Sequence, residues 1–218
     1  MKHNSFQSAF DLKERYWPEG KFKYKSGLKR VVFHSRDIRK QEGPFNPKNI
    51  NIPSFVNDLS LFIEKTPFTV YSSSINKLKH VLKYSEPYHV YKLCLEFIVE
   101  RYCRFLRETQ QTGILWLEAR GRNEDAEILR YLVNFMRNGN AFNRPEAFTC
   151  IKGVYFNPKW CEVSAGQASN IQLELADLVS YPIHKFVRSE VRDRAFEVVE
   201  KKLHNYPRVM GYGLKKFP

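Results

Sequence analysis

Gly113-Ile114-Leu115-Trp116-Leu117 is an apolar stretch that runs straight into a carboxylate, Glu118, and Ala119-Arg120-Gly121-Arg122-Asn123-Glu124-Asp125 follows at once. The apolar residues read as a core strand, and a helical pattern begins near Glu124 and runs to about Arg137. An acid at the end of a buried strand is costly to desolvate unless a cation meets it. Acids at strand ends beside glycine-containing loops are also where α/β enzymes often place metal ligands and catalytic groups. Two readings of Glu118 therefore stand: the first solvated residue after a core strand, or a site carboxylate.

Working outward, Ser5 could cap a first helix ending near Tyr16, with Phe6, Phe10 and Leu12 or Lys13 on one face. Trp17-Pro18-Glu19-Gly20 stops it. In Lys21-Phe22-Lys23-Tyr24-Lys25, cations alternate with rings, as in a strip that tracks phosphates while stacking bases, or as in a lysine-blunted edge strand. Val31–Phe33 reads as a short buried strand, residues from about Pro53 to Lys65 as a helix, Phe68–Ile75 as a strand and Asn76–Tyr84 as a short helix. Pro87 opens a long helix to about Gln110, with Val90, Cys94, Phe97, Ile98, Tyr102 and Phe105 on its core face. Asn138-Gly139-Asn140 ends the helix after Glu118, and Phe148–Ile151 with Val154–Phe156 suggest a hairpin around Gly153. A helix from near Ser169 carries Ile171, Leu175, Leu178 and Val179 on one face, Pro182 should kink or stop it, and a last helix spans about Glu190 to His204. Strands alternating with helices predict an α/β fold with a mixed sheet, in a single domain spanning 1–218.

The 218 residues carry 36 lysines and arginines against 23 acids, a formal charge of +13. That excess favours nucleic acid, DNA or RNA, through phosphate contact, although anionic lipid or an acidic protein would answer the same charge. Cys94, Cys103, Cys150 and Cys161 form no C-x-x-C pair and have no histidine at zinc spacing, so they read as small buried thiols. No apolar run is long enough to span a bilayer, and Met1–Gln7 lacks the apolar core of a signal peptide, so the expected location is cytoplasmic with no membrane partner.

The second acid that stands out is Asp177, inside Leu175-Ala176-Asp177-Leu178-Val179. Unless paired or metal-bound it is expensive there. With Glu118 it would suit an oxygen-ligand site for Mg2+ or Mn2+, whereas an arginine across the core would explain it equally well. Asp125 and Glu124 suit the first turn of a helix, with one of them or Asn123 as a cap. Arg120 and Arg122 could clamp a phosphate or neutralise Glu118. Gln172 sits about one and a half turns before Asp177, and His34 with Asp37 follows a strand end where substrate could approach. There is no P-loop, dinucleotide fingerprint, nucleophile elbow or H-E-x-x-H motif.

Four segments taken in order, His34-Ser35-Arg36-Asp37-Ile38-Arg39-Lys40 with Gly43-Pro44-Phe45, Glu118-Ala119-Arg120-Gly121, Leu173 through Ile183, and Gly211-Tyr212-Gly213-Leu214-Lys215, resemble the domain-of-unknown-function family numbered 3800. The resemblance covers nearly the whole chain. It implies a ribonuclease H-like mixed sheet flanked by helices and a metal-dependent nuclease, with Glu118 and Asp177 as metal ligands and Asp125 as a further catalytic acid. Arg120, Arg122, His34 and Gln172 would then contact substrate. Ala119 stands where the family usually has serine, and Glu174 departs from a usually small or apolar position. Family members begin with an Asp-Glu-Ser strand that this sequence lacks, so the resemblance implies an N-terminally incomplete domain with impaired catalysis. The rival expectations are a non-catalytic nucleic-acid or protein-binding module on the same scaffold, and a fold completed by a strand from a partner chain or a second copy.

Overall fold

A computed structural model describes residues 3–158, 160–163 and 166–218. The side chains of Ser5, Phe6 and Cys161 lie outside the described residues. In chain order the elements are α1 (His3–Tyr16), β1 (Lys21–Tyr24), β2 (Gly27–Arg30), α2 (Ser35–Lys40), α3 (Ile52–Lys65), β3 (Ser72–Ile75), α4 (Lys77–Lys83) and α5 (Val90–Glu108). They continue with β4 (Gly113–Glu118), α6 (Arg122–Asn138), β5 (Ile151–Asn157), β6 (Trp160–Val163), β7 (Gly166–Ser169), α7 (Ile171–Ser189), α8 (Arg194–Glu200) and β8 (Leu214–Phe217). The fold is mixed α/β with helix predominating, and its described strands form four two-stranded sheets, two parallel and two antiparallel. No helix among the described residues is long and apolar enough to cross a membrane. The chain divides into two compact units, Met1–Thr69 with Pro158–Lys202, and Val70–Asn157 with Leu203–Pro218.

In the first unit α3 forms because Asn51 caps it, accepting from the Ser54 N–H at 3.0 Å, and Pro53 suits its first turn. Its buried Phe55, Leu59, Phe62 and Ile63 follow helical spacing. They join Leu12, Trp17, Phe33, Phe45, Ile171, Leu175 and Leu178 in one core. α7 supplies the other wall, capped by Asn170 and continuing through Pro182 to Ser189 where a stop or kink was expected. Glu190 belongs to its end, in a left-handed conformation, so the last helix is the short α8 and not a span to His204.

Val31–Phe33 is extended and fully buried, as the sequence suggests, but no strand among the described residues pairs with it. Its alternate N–H groups find other acceptors: Val31 donates to the Gly20 carbonyl at 2.9 Å, Phe33 to Glu174 Oε2 at 2.7 Å, and Ser35, next in the same phase, to Asp177 Oδ2 at 2.9 Å. Two carboxylates one turn apart on α7 thus stand where a neighbouring strand's carbonyls would. Glu174 Oε1 accepts from Lys13 Nζ at 2.8 Å, and both side chains are 1% exposed. Lys13 also donates to Ser169 Oγ at 2.9 Å and lies 4.8 Å over the Phe33 ring. Burial pushes the Lys13 ammonium below its ordinary pKa while Glu174 pulls it back up.

Asp193 caps α8, accepting from the Phe196 N–H at 2.9 Å and from Lys185 Nζ at 2.7 Å. The Lys185 hydrogen bond, ahead of the backbone one, holds its carboxyl below the usual carboxylate value. A depressed folded-state pKa contributes stability that is present above the unfolded value and lost as pH falls through the folded one. Asp193→Ala should therefore cost about 1 kcal/mol in neutral denaturant titrations. The gap to the parent should shrink as pH falls below about 4. An equal gap in strong acid would show that the carboxylate is not the cause.

In the second unit β4 and β5 pair in parallel across α6, a βαβ step. The expected hairpin is absent: Ile151–Asn157 is one strand containing Gly153, preceded by a 3-10 turn over Pro145–Phe148. A Cβ at Gly153 would meet the Tyr155 ring at 2.8 Å, so a larger residue there would require that exposed ring to turn aside. β4 alternates, with Leu115 and Leu117 packed on Leu132, Phe135 and Phe148, and Ile114 and Trp116 exposed at 43% and 41%. The fully buried core strand expected here is half right. α5 is packed on two sides: Phe97 packs against Phe217 of β8, while Val99, Cys103 and Leu106 enter the core beneath β4. Of the expected face Val90, Cys94, Phe97, Ile98, Tyr102 and Phe105, Tyr102 and Phe105 pack on that core, while Val99, Cys103 and Leu106 were not expected in it. β3 and β8 pair in parallel, and Gly213 admits the close approach of His204, whose backbone N would lie 2.5 Å from any Cβ at that position.

Candidate functional site

In the first unit α7 and the start of α2 bring together three of the side chains singled out above. His34 occupies the N-cap position of α2, Asp37 its first turn, and Asp177 faces them from α7. His34 Nδ1 lies 3.1 Å from Asp37 Oδ2, and Nε2 lies 3.7 Å from Asp177 Oδ2. One imidazole is thus held between two carboxylates, each half-buried and open to water. Asp177 Oδ2 is fixed by the Ser35 N–H, and its Oδ1 takes no donor among the described residues. Asp37 also meets Arg36 Nη1 at 3.5 Å. At the flank, the Arg39 guanidinium stacks 3.4 Å over the Tyr181 ring.

The arginine partner considered for Asp177 is not what the structure gives it. The acid that sits in the core is Glu174, and its counter-ion is Lys13. The signal was present in Leu173-Glu174-Leu175, an acid between two core leucines, and in Lys13 beside Leu12 on the inner face of α1. Gln172 lies about 140° around α7 from Asp177 at 3.6 residues per turn, so the two do not share a face.

The remaining candidates belong to the second unit. Glu118 ends β4 in the exposed position of its alternation, so no desolvation cost attends it. Ala119 N–H continues the parallel ladder to the Asn157 carbonyl at 2.9 Å. Asp125 accepts the Arg120 N–H at 2.9 Å and the Gly121 N–H at 3.4 Å, reaching back from the first turn of α6 to close the turn that leads into it. Both of its oxygens are engaged by backbone, which gives Asp125 the capping role. Gly121, at φ 134°, adopts a backbone few other residues could. The Arg120 guanidinium lies 4.7 Å over the Tyr91 ring, and Arg122 is exposed at the first position of α6.

The basic run is the antiparallel hairpin β1–β2 of the first unit. Its rings turn inward: Phe22 and Tyr24 meet edge to face at 5.2 Å, and Tyr24 meets Trp160 at 6.2 Å. Burial pushes the Tyr24 hydroxyl up to about 12. Lys23, Lys25 and Leu28 face outward. Phosphate tracking by the lysines remains open to this hairpin, whereas stacking on Phe22 does not.

Among the described residues no group of three or more His, Cys, Asp or Glu side chains is arranged to hold a metal ion. Comparison with protein-family models, with curated proteins and with solved structures finds no match to the chain.

Proposed function

We propose that the chain processes the phosphodiester backbone of DNA or RNA at the Asp177–His34 site, as a metal-dependent nuclease of ribonuclease H-like type. The observation that carries this reading is Asp177 itself. It is a carboxylate fixed on a core helix through one oxygen, with the other accepting no hydrogen bond from a described donor and a carboxylate-bracketed imidazole beside it.

Mg2+ keeps several waters and is commonly held by one or two carboxylates together with substrate phosphates, so a single part-exposed carboxylate with one oxygen uncommitted to a described donor fits it better than a protein cage would. Bound there, Mg2+ or Mn2+ would supply an activated water and charge stabilisation at the leaving oxygen. The chain's own residues do the rest. The Ser35 N–H orients Asp177, Asp37 orients the His34 ring, and His34 Nε2 is placed to accept or return a proton on a water beside Asp177. The ribonuclease H-like reading rests on the order of the four sequence motifs.

The test is cleavage of labelled single-stranded DNA, duplex DNA and RNA by the purified chain with Mg2+ or Mn2+. Cutting that EDTA abolishes is expected, and Asp177→Asn should remove it. Full activity surviving in Asp177→Asn would sink the assigned role. A second reading, a non-catalytic nucleic-acid-binding module, is favoured by the outward lysines of β1–β2. It predicts salt-sensitive binding without cleavage.

A further inference from the structure

The second unit contains a polar cavity of about 330 Å³ that shares no residue with the Asp177–His34 site. Its floor is one face of α5, with Glu100, Arg101, Arg104 and Glu108, and Lys215 of β8 and His204 complete the wall. That size falls at the lower end of small-molecule sites. Two loops frame it, and each is fastened to α5 at consecutive residues. Glu100 Oε1 accepts from Asn140 Nδ2 at 2.6 Å and Asn143 Nδ2 at 3.0 Å, while Asn140 Oδ1 accepts the Phe142 and Asn143 N–H groups. Arg101 donates to the Tyr212 carbonyl at 3.0 Å and the Gly211 carbonyl at 3.2 Å.

These loops hold out two large rings: Phe142 is 88% exposed and Tyr212 55% exposed. Rings on pinned loops at the rim of a cavity suit a flat, π-bearing ligand. Arg101, Arg104 and Lys215 outnumber the carboxylates Glu100 and Glu108 in the lining: Arg104 is exposed and has no ion pair among the described residues, and the Lys215 ammonium lies 3.5 Å over the Phe97 ring. His204 packs its ring 4.9 Å from that of Tyr71, and its ring nitrogens carry no hydrogen bond among the described residues. Cations alone would take any anion and rings alone any apolar group. Together they select a base joined to a phosphate.

We infer that this cavity is a nucleotide-binding site, in which a base stacks on Phe142 or Tyr212 and its phosphate meets Arg104 and Lys215. The nucleotide is either free or one unit of a single strand. The Gly211-Tyr212-Gly213-Leu214-Lys215 segment, singled out in the sequence without a role, supplies one ring and one cation of the site.

The test uses AMP and adenosine as probes, read by saturation-transfer NMR in EDTA, so that the presence or absence of cleavage has no bearing on it. AMP should bind, and adenosine should bind more weakly. Arg104→Ala, and whichever of Phe142→Ala and Tyr212→Ala removes the stacking ring, all at exposed positions, should weaken AMP on the order of tenfold or more. A fluorescent thymidine 10-mer then separates the two sources: displacement by AMP identifies a strand unit, and AMP binding without displacement identifies a free nucleotide. No AMP binding to the parent chain at millimolar concentration would overturn the site, as would equal AMP binding by the parent and all three variants.

Discussion

Glu174→Gln should destabilise the protein by about 3–5 kcal/mol, the range for breaking a buried ion pair by removing one partner. The reason lies in how the carboxylate is used. One oxygen takes the Lys13 ammonium and the other the Phe33 N–H, with both side chains sealed from water. Glutamine offers one acceptor and one donor, so either the ammonium or the backbone N–H must face an NH2 group. Lys13→Met alone should also be costly, because it strands the buried carboxylate. Combined with Glu174→Gln it should recover much of the loss, since the amide oxygen can still serve Phe33 and a buried charge no longer needs a partner. Chemical denaturation of the two single variants and the double variant closes the cycle. A double variant as unstable as the sum of the singles would mean that the pair does not act as a unit.

Asp177→Asn should lower metal-dependent cleavage by about a thousandfold, equivalent to several kcal/mol of lost transition-state stabilisation at about 1.4 kcal/mol per decade. The fold should be almost untouched. The side-chain amide oxygen that this exchange retains can keep accepting the Ser35 N–H, and the position is only half-buried. Activity should therefore fall with little change in denaturation midpoint, the reverse of the expectation for Glu174→Gln. Those two acids lie one turn apart on the same helix face, and the contrast between them separates a functional carboxylate from a structural one.

Much of the helical framework was legible because local chemistry specifies it. The apolar spacing of α3 and α7 is helical, whereas the caps were not named: Asn51, Asn76 and Asn170 cap α3, α4 and α7, each accepting from the N–H three residues on. Strand pairing was not legible. Gly153 reads as a turn residue and lies instead within one strand, beside the ring of Tyr155. Val31–Phe33 has the letters of a strand, but its partners are two carboxylates far along the chain. Lys13 and Glu174 are 161 residues apart, and nothing in either local pattern names the other. The same holds for the candidate site: Asp177 and His34 were each visible as types, whereas their meeting through Ser35 and Asp37 is a product of the fold. Tyr212 stood in a segment singled out without a role and Phe142 gave no sequence signal, because the asparagine and arginine contacts that hold these rings come from the turn after α6 and from α5.

Direct Mn2+ binding, read by electron paramagnetic resonance on the parent chain and on Asp177→Asn, tests the central claim most closely. The expected result is saturable binding by the parent that weakens on the order of tenfold or more in Asp177→Asn, in line with the loss of a charged ligand. Equal Mn2+ binding by the two proteins would contradict the assignment of Asp177 as a metal-holding carboxylate.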